Sequence, residues 1–111
     1  MTDERSQRID ELNDLCRKAM GVLGRLYQTP GIRALPGADQ SAIREKVETS
    51  DAFRSGDDPY GERDFGAFEH NGNRVIWKIN YYDPSMEGGS EDPSVPQQTV
   101  RVLTIMLASE Y

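Results

Sequence analysis

Apolar side chains recur at helical spacing from Ile9 through Leu12, Leu15, Cys16, Ala19 and Met20 to Leu23, with Asp, Glu, Arg and Lys between them. That period predicts an amphipathic helix opening near Thr2 or Asp3, whose side-chain oxygens can cap its first turn. Gly21 and Gly24 weaken its end. Gly24 to Thr29, GRLYQT, then reads as a short strand, and Pro30-Gly31 and Pro36-Gly37 read as turns. Asp39 or Ser41 can cap a second helix with Ile43, Val47 and Phe53 on its buried side.

The period then switches from that of a helix to that of a strand. Asp64 to Glu69 and Arg74 to Asp83 flank Asn71-Gly72, a dipeptide suited to a tight turn because both positions tolerate positive φ. In the second run Val75, Trp77, Ile79 and Tyr81 alternate with Arg74, Lys78 and Asn80, which predicts one buried face and one wetter face. Ile76 and Tyr82 interrupt the wetter face, so a cover over part of it is expected. Pro84 to Pro96, PSMEGGSEDPSVP, reads as a long loop of the kind that often carries function.

The last segment, QQTVRVLTIMLASEY, is apolar at Val100, Val102, Leu103, Ile105, Met106 and Leu107. Val100 and Val102 alternate as a strand would, but the length of the run and the proline before it favour a helix packed on the sheet. The expected fold is α+β: a short antiparallel sheet built around a β-hairpin and covered by about three helices. At 111 residues one domain is expected, with residues 1–23 an N-terminal helix.

Composition narrows the function classes. The only cysteine, Cys16, forms no internal disulfide and lies on the apolar stripe of the first helix, where a small buried thiol is expected. No apolar run approaches the roughly 18 residues of a membrane span. A cytoplasmic setting is the default expectation. The net charge of −6 is uneven: residues 1–47 sum to +1, residues 48–92 to −7 and residues 93–111 to zero. Such a surplus repels phosphate backbones, so nucleic-acid binding is not expected, whereas a basic protein surface would suit it.

The stretch DDPYGERDFG lies inside the acidic part. Asp57, Asp58, Glu62 and Asp64 offer oxygens to a hard cation, but their spacing fails the calcium-loop pattern, and Arg63 can neutralise part of their field. A turn aspartate accepting backbone N–H groups before Pro59 is the preferred reading. No metal and no cofactor are expected. His70, the only histidine, is placed at an exposed hairpin tip without a catalytic partner. Trp77 is assigned to the core and Tyr82, on the opposite face, to a binding surface.

Longer motifs carry a resemblance. DPYGE-R-DFGAFE, WKINYYD, SEDP and RVLTIMLASEY resemble a bacterial family of short proteins built on a domain of unknown function, over roughly Gly31 to Tyr111. That family tends to carry histidine where this chain has Arg63, and aspartate where it has Asn80. The resemblance implies no activity; it implies the setting of plasmids, phages and other mobile elements.

Two functions are weighed. The favoured one is a small acidic, non-catalytic protein-binding accessory or inhibitor-like protein. Its contacts would be Asp57, Asp58, Tyr60, Glu62, Asp64, Tyr82 and Asp83, presented to a partner with a basic surface. The alternative is a metal-assisted hydrolase using the Glu62, Asp64 and Asp83 carboxylates. Pairing of two copies through a sheet edge is left open.

Overall fold

The computed structural model describes residues 4–19, 24–49 and 63–111. Among them are helices α1 (Glu4–Lys18), α2 (Pro30–Arg33) and α3 (Gly37–Thr49), and strands β1 (Arg25–Gln28), β2 (Phe65–His70), β3 (Asn73–Tyr82) and β4 (Val100–Leu107). The strands form one sheet in the order β1-β4-β3-β2. β4 runs antiparallel to β3 and parallel to β1, so the α+β fold has a mixed sheet rather than a purely antiparallel one.

The hairpin forms as its sequence predicts. Asn71 (φ 48°) and Gly72 (φ 82°) both occupy the left-handed region, and the register runs from His70 opposite Asn73 to Phe65 opposite Lys78. Gly66 faces Trp77, and a Cβ at Gly66 would lie 2.5 Å from indole Cε2. Glycine here lets a fully buried tryptophan lie across the neighbouring strand.

The segment expected to close the fold as a helix is strand β4. Leu103 and Ile105 point to the helices, while Met106 is buried on the other side of the sheet opposite Ile76. A central strand covered on both faces loses its alternation and reads as a continuous apolar run. The β-branched residues Val100, Val102, Thr104 and Ile105 are the local preference that fits a strand. Pro30-Gly31, expected as a turn, instead opens α2, with Thr29 as its N-cap residue and Pro30 in its first turn.

One core joins the helices to one sheet face. Cys16, Ile32, Ile43 and Val47 pack on Val75, Trp77, Ile79, Leu103 and Ile105. On α1 the buried residues are Ile9, Asn13, Cys16 and Arg17, whereas Leu15, expected on the apolar stripe, is 48% exposed. The expected positions Met20, Leu23 and Phe53 lie outside the described residues. On the second sheet face the chain turns back after β4 and sets Tyr111 edge-on to Phe65, ring centroids 6.2 Å apart, with Lys78 Nζ 5.8 Å from its ring centre. Ile76, the residue that interrupts the wetter face, is buried there opposite Met106. Tyr82 is instead half-buried, paired with Val100 and bridged to Gly89.

Candidate functional site

Of the residues singled out in the sequence, Asp57, Asp58, Tyr60 and Glu62 lie outside the described residues. Asp64 stands just before β2, where its carbonyl accepts the Ile79 N–H at 2.8 Å. Asp83 follows β3, four residues past Ile79, or about 13 Å along an extended strand. The sheet therefore holds the backbones of these two aspartates apart. Arg63, expected to offset its neighbouring carboxylates, donates to Asp14 of α1 at 3.0 Å. Among the described residues no three His, Cys, Asp or Glu side chains gather closely enough to hold a metal ion.

Asp83 anchors a self-braced loop. Its Oδ1 accepts the Ser85 hydroxyl at 2.6 Å and the Glu87 N–H at 3.3 Å, while the Met86 N–H donates to its carbonyl at 3.0 Å. Met86 takes φ 64°, the left-handed conformation this tight bend requires. The Ser85 hydroxyl, helped by backbone N–H groups, holds the Asp83 carboxyl below its ordinary range. The cause is hydrogen bonding rather than a neighbouring cation.

The rest of the long loop is braced in the same manner. Ser90 Oγ donates to the Gln98 carbonyl and lies 2.7 Å from Thr99 Oγ1, and Asp92 Oδ1 accepts the Ser94 hydroxyl at 2.6 Å and its N–H at 3.1 Å. Arg101 pins the loop from beneath. It donates to the Pro93 carbonyl and, through Nε at 2.7 Å, to Asn13, whose amide donates to the Tyr81 hydroxyl at 2.8 Å. This buried chain of bonds ties α1, β3 and β4 to the loop. Asp83, Pro84, Ser85, Gly89, Glu91 and Gln98 line a groove of about 440 Å³. Asp92 is paired with Arg5 at 3.2 Å, whereas Asp83, Glu87 and Glu91 have no cationic partner among the described residues.

His70 departs from its expected place. It is 8% exposed, with Nε2 2.9 Å from Asp39 Oδ1 and Nδ1 3.2 Å from Lys46 Nζ. A neutral imidazole protonated on Nε2 satisfies both neighbours, donating to the carboxylate and accepting from the ammonium. Asn71 donates to the same Asp39 oxygen at 2.8 Å, and Lys46 also donates to the Glu69 carbonyl at 3.2 Å. Sequence reasoning missed this clamp because hairpin tips usually face water, and the approach of α3 is a long-range event. Cys16 is buried as expected, and desolvation raises its thiol pKa against the opposing pull of Arg101 and Arg17.

The chain belongs to the family described as Protein of unknown function (DUF3768), which it matches over residues 28–110. The DUF3768 match takes in α2, α3, the hairpin, the braced loop and β4, and it leaves α1 and most of β1 outside. No curated protein and no solved structure matches the chain. No described helix is long and apolar enough to cross a membrane.

Proposed function

We propose that this protein is a small, non-catalytic protein-binding accessory, inhibitor-like in action, that captures a partner bearing a basic surface. One observation carries the reading. Asp83 and Glu91 line a groove beside Tyr82 without a cation of their own among the described residues, and the Ser85 hydroxyl favours the ionised form of Asp83. A braced loop presents these charges at little further ordering cost, and exposed carboxylates steer a basic partner toward them. Asp64, tucked at the start of β2, is not part of this groove. The bacterial, mobile-element and cytoplasmic setting belongs to the same proposal and rests on the motif resemblance.

The test is affinity capture from the native host with the wild-type chain and with the combined variant Asp83→Asn, Glu87→Gln, Glu91→Gln. The variant is expected to retain its fold and to weaken capture by about tenfold, with a larger loss at low salt. Equal capture by both proteins at every salt concentration would remove the proposal. Calorimetric titration with Mg²⁺ and Mn²⁺ tests the carboxylate hydrolase separately, and saturable heat at millimolar metal would favour that alternative.

A further inference from the structure

The arginines among the described residues fall into two groups. Arg5, Arg8, Arg17, Arg63 and Arg74 each lie within 4.0 Å of a carboxylate, and Arg101 is bonded within the buried network. Arg25, Arg33 and Arg44 have no carboxylate within that distance among the described residues. Arg44 instead donates to two neutral groups, Gln28 Oε1 at 3.1 Å and Ser41 Oγ at 3.2 Å. All three surround one element, the edge strand β1.

That edge is open among the described residues. The Thr29 N–H donates to the Ile105 carbonyl at 3.1 Å, so by strand alternation Tyr27 and Arg25 also turn their backbone groups toward β4. Leu26 and Gln28 therefore turn theirs outward, away from the sheet. Beside them lies a groove of about 390 Å³ lined by Leu26, Tyr27, Gln28, Arg33 and Arg44. Tyr27 is 52% exposed on the sheet face shared with Arg25.

We infer that the β1 edge is a docking site for an extended acidic peptide segment of a partner protein, which adds to the sheet as a fifth strand. The outward backbone groups of Leu26 and Gln28 supply the strand-to-strand hydrogen bonds. Alternate side chains of the added strand meet Arg33 and Arg44 on the helix side, and Arg25 and Tyr27 on the other side. Charge selects the occupant. Pairing of two copies of this edge would bring six guanidiniums together, whereas Asp or Glu at alternate positions would neutralise them. This surface has the opposite charge to the Asp83 groove and stands independently of the function proposed above.

The test is fluorescence anisotropy of a labelled octapeptide alternating glutamate and valine, titrated with the full chain. Saturable binding is expected, with at least a tenfold loss in the Arg33→Gln, Arg44→Gln variant and no change in Arg8→Gln. A lysine–valine octapeptide, and a glutamate–valine octapeptide interrupted by two prolines, are expected not to bind. Amide exchange gives a readout independent of the variants' folding: Leu26 and Gln28 of the wild-type chain should exchange more slowly with peptide bound. Absence of saturable binding would overturn the inference. So would equal binding of the proline-interrupted peptide, which would indicate charge attraction without strand addition, or a dimer closed through β1 that excludes the peptide.

Discussion

The hairpin has a polar cluster at each end, and the two spend their hydrogen bonds differently. At the tip, His70 and Asn71 reach back 31 and 32 residues to Asp39, and Lys46 reaches 24 residues to His70. Beyond the base, the side chains of Asp83, Ser85, Ser90, Ser94 and Thr99 bond within nine residues of themselves. The tip is a clamp between distant elements, and its charged groups are consumed by one another. The loop braces its own backbone and leaves carboxylate charge facing outward. Under the proposed function, charge left over by the internal bonds is what separates Asp83 from His70.

The widest way to break the comparison is to disturb the sheet from which both ends hang. Gly66→Ala would force a methyl group into the Trp77 indole, and a loss of about 3 kcal/mol is expected in urea unfolding, because overpacking in a tight core costs that order. An unchanged midpoint would mean that the indole has room to shift. His70→Ala comes next. Removing a buried ring bonded to two charged side chains should cost about 2 kcal/mol, and amide exchange should speed up in the N-terminal turn of α3.

Ser85→Ala sharpens the contrast from the other side. Global stability should move by less than about 0.5 kcal/mol, since the loop is exposed. The Asp83 carboxyl, however, should titrate at higher pH, because the lost hydroxyl is the main cause of its lowered pKa. A carboxyl-detected titration reads this directly. A Ser85→Ala protein as destabilised as His70→Ala would erase the distinction between clamp and brace.

The smallest expected effect is a pH dependence confined to the loop. Ser85 and Ser94 lower the pKa values of Asp83 and Asp92 from the ordinary 3.8. A carboxyl lowered in the folded state contributes stability that is present above 3.8 and lost as pH falls through the lowered value. The Glu87 and Ser94 amides should therefore lose exchange protection below about pH 4. Loss that begins near neutral pH would place the cause elsewhere.

The hairpin was legible because Asn71-Gly72 and the Val75-to-Tyr81 alternation are local signals that agree with each other. β4 was not, because apolar residues stand on both of its faces while the buried face carries Arg101, so its sequence hides the alternation that its burial shows. The polar side of α1 was equally hidden: Asn13 and Arg17 look like surface residues until Tyr81, Arg101 and Val47 meet them from distant parts of the chain. Of the proposed site, Asp83 and Tyr82 were singled out from the acidic surplus and the alternation, and the bracing around Asp83 was not legible because its serine and backbone partners are set by the loop's bends. The grouping of Arg25, Arg33 and Arg44 around β1 was not legible, because the three lie on separate elements that only the fold brings together.

The placement of β4 also governs how the protein is made. Arg25 pairs with Val102, so β1 leaves the ribosome some 77 positions ahead of the strand that receives it. The hairpin can zip up early from contacts a few residues apart, but until residues 100–107 join the sheet its long strand β3 lacks its second neighbour. Docking of β1 and β4 across that separation is therefore expected to be the slow step of refolding, following the hairpin.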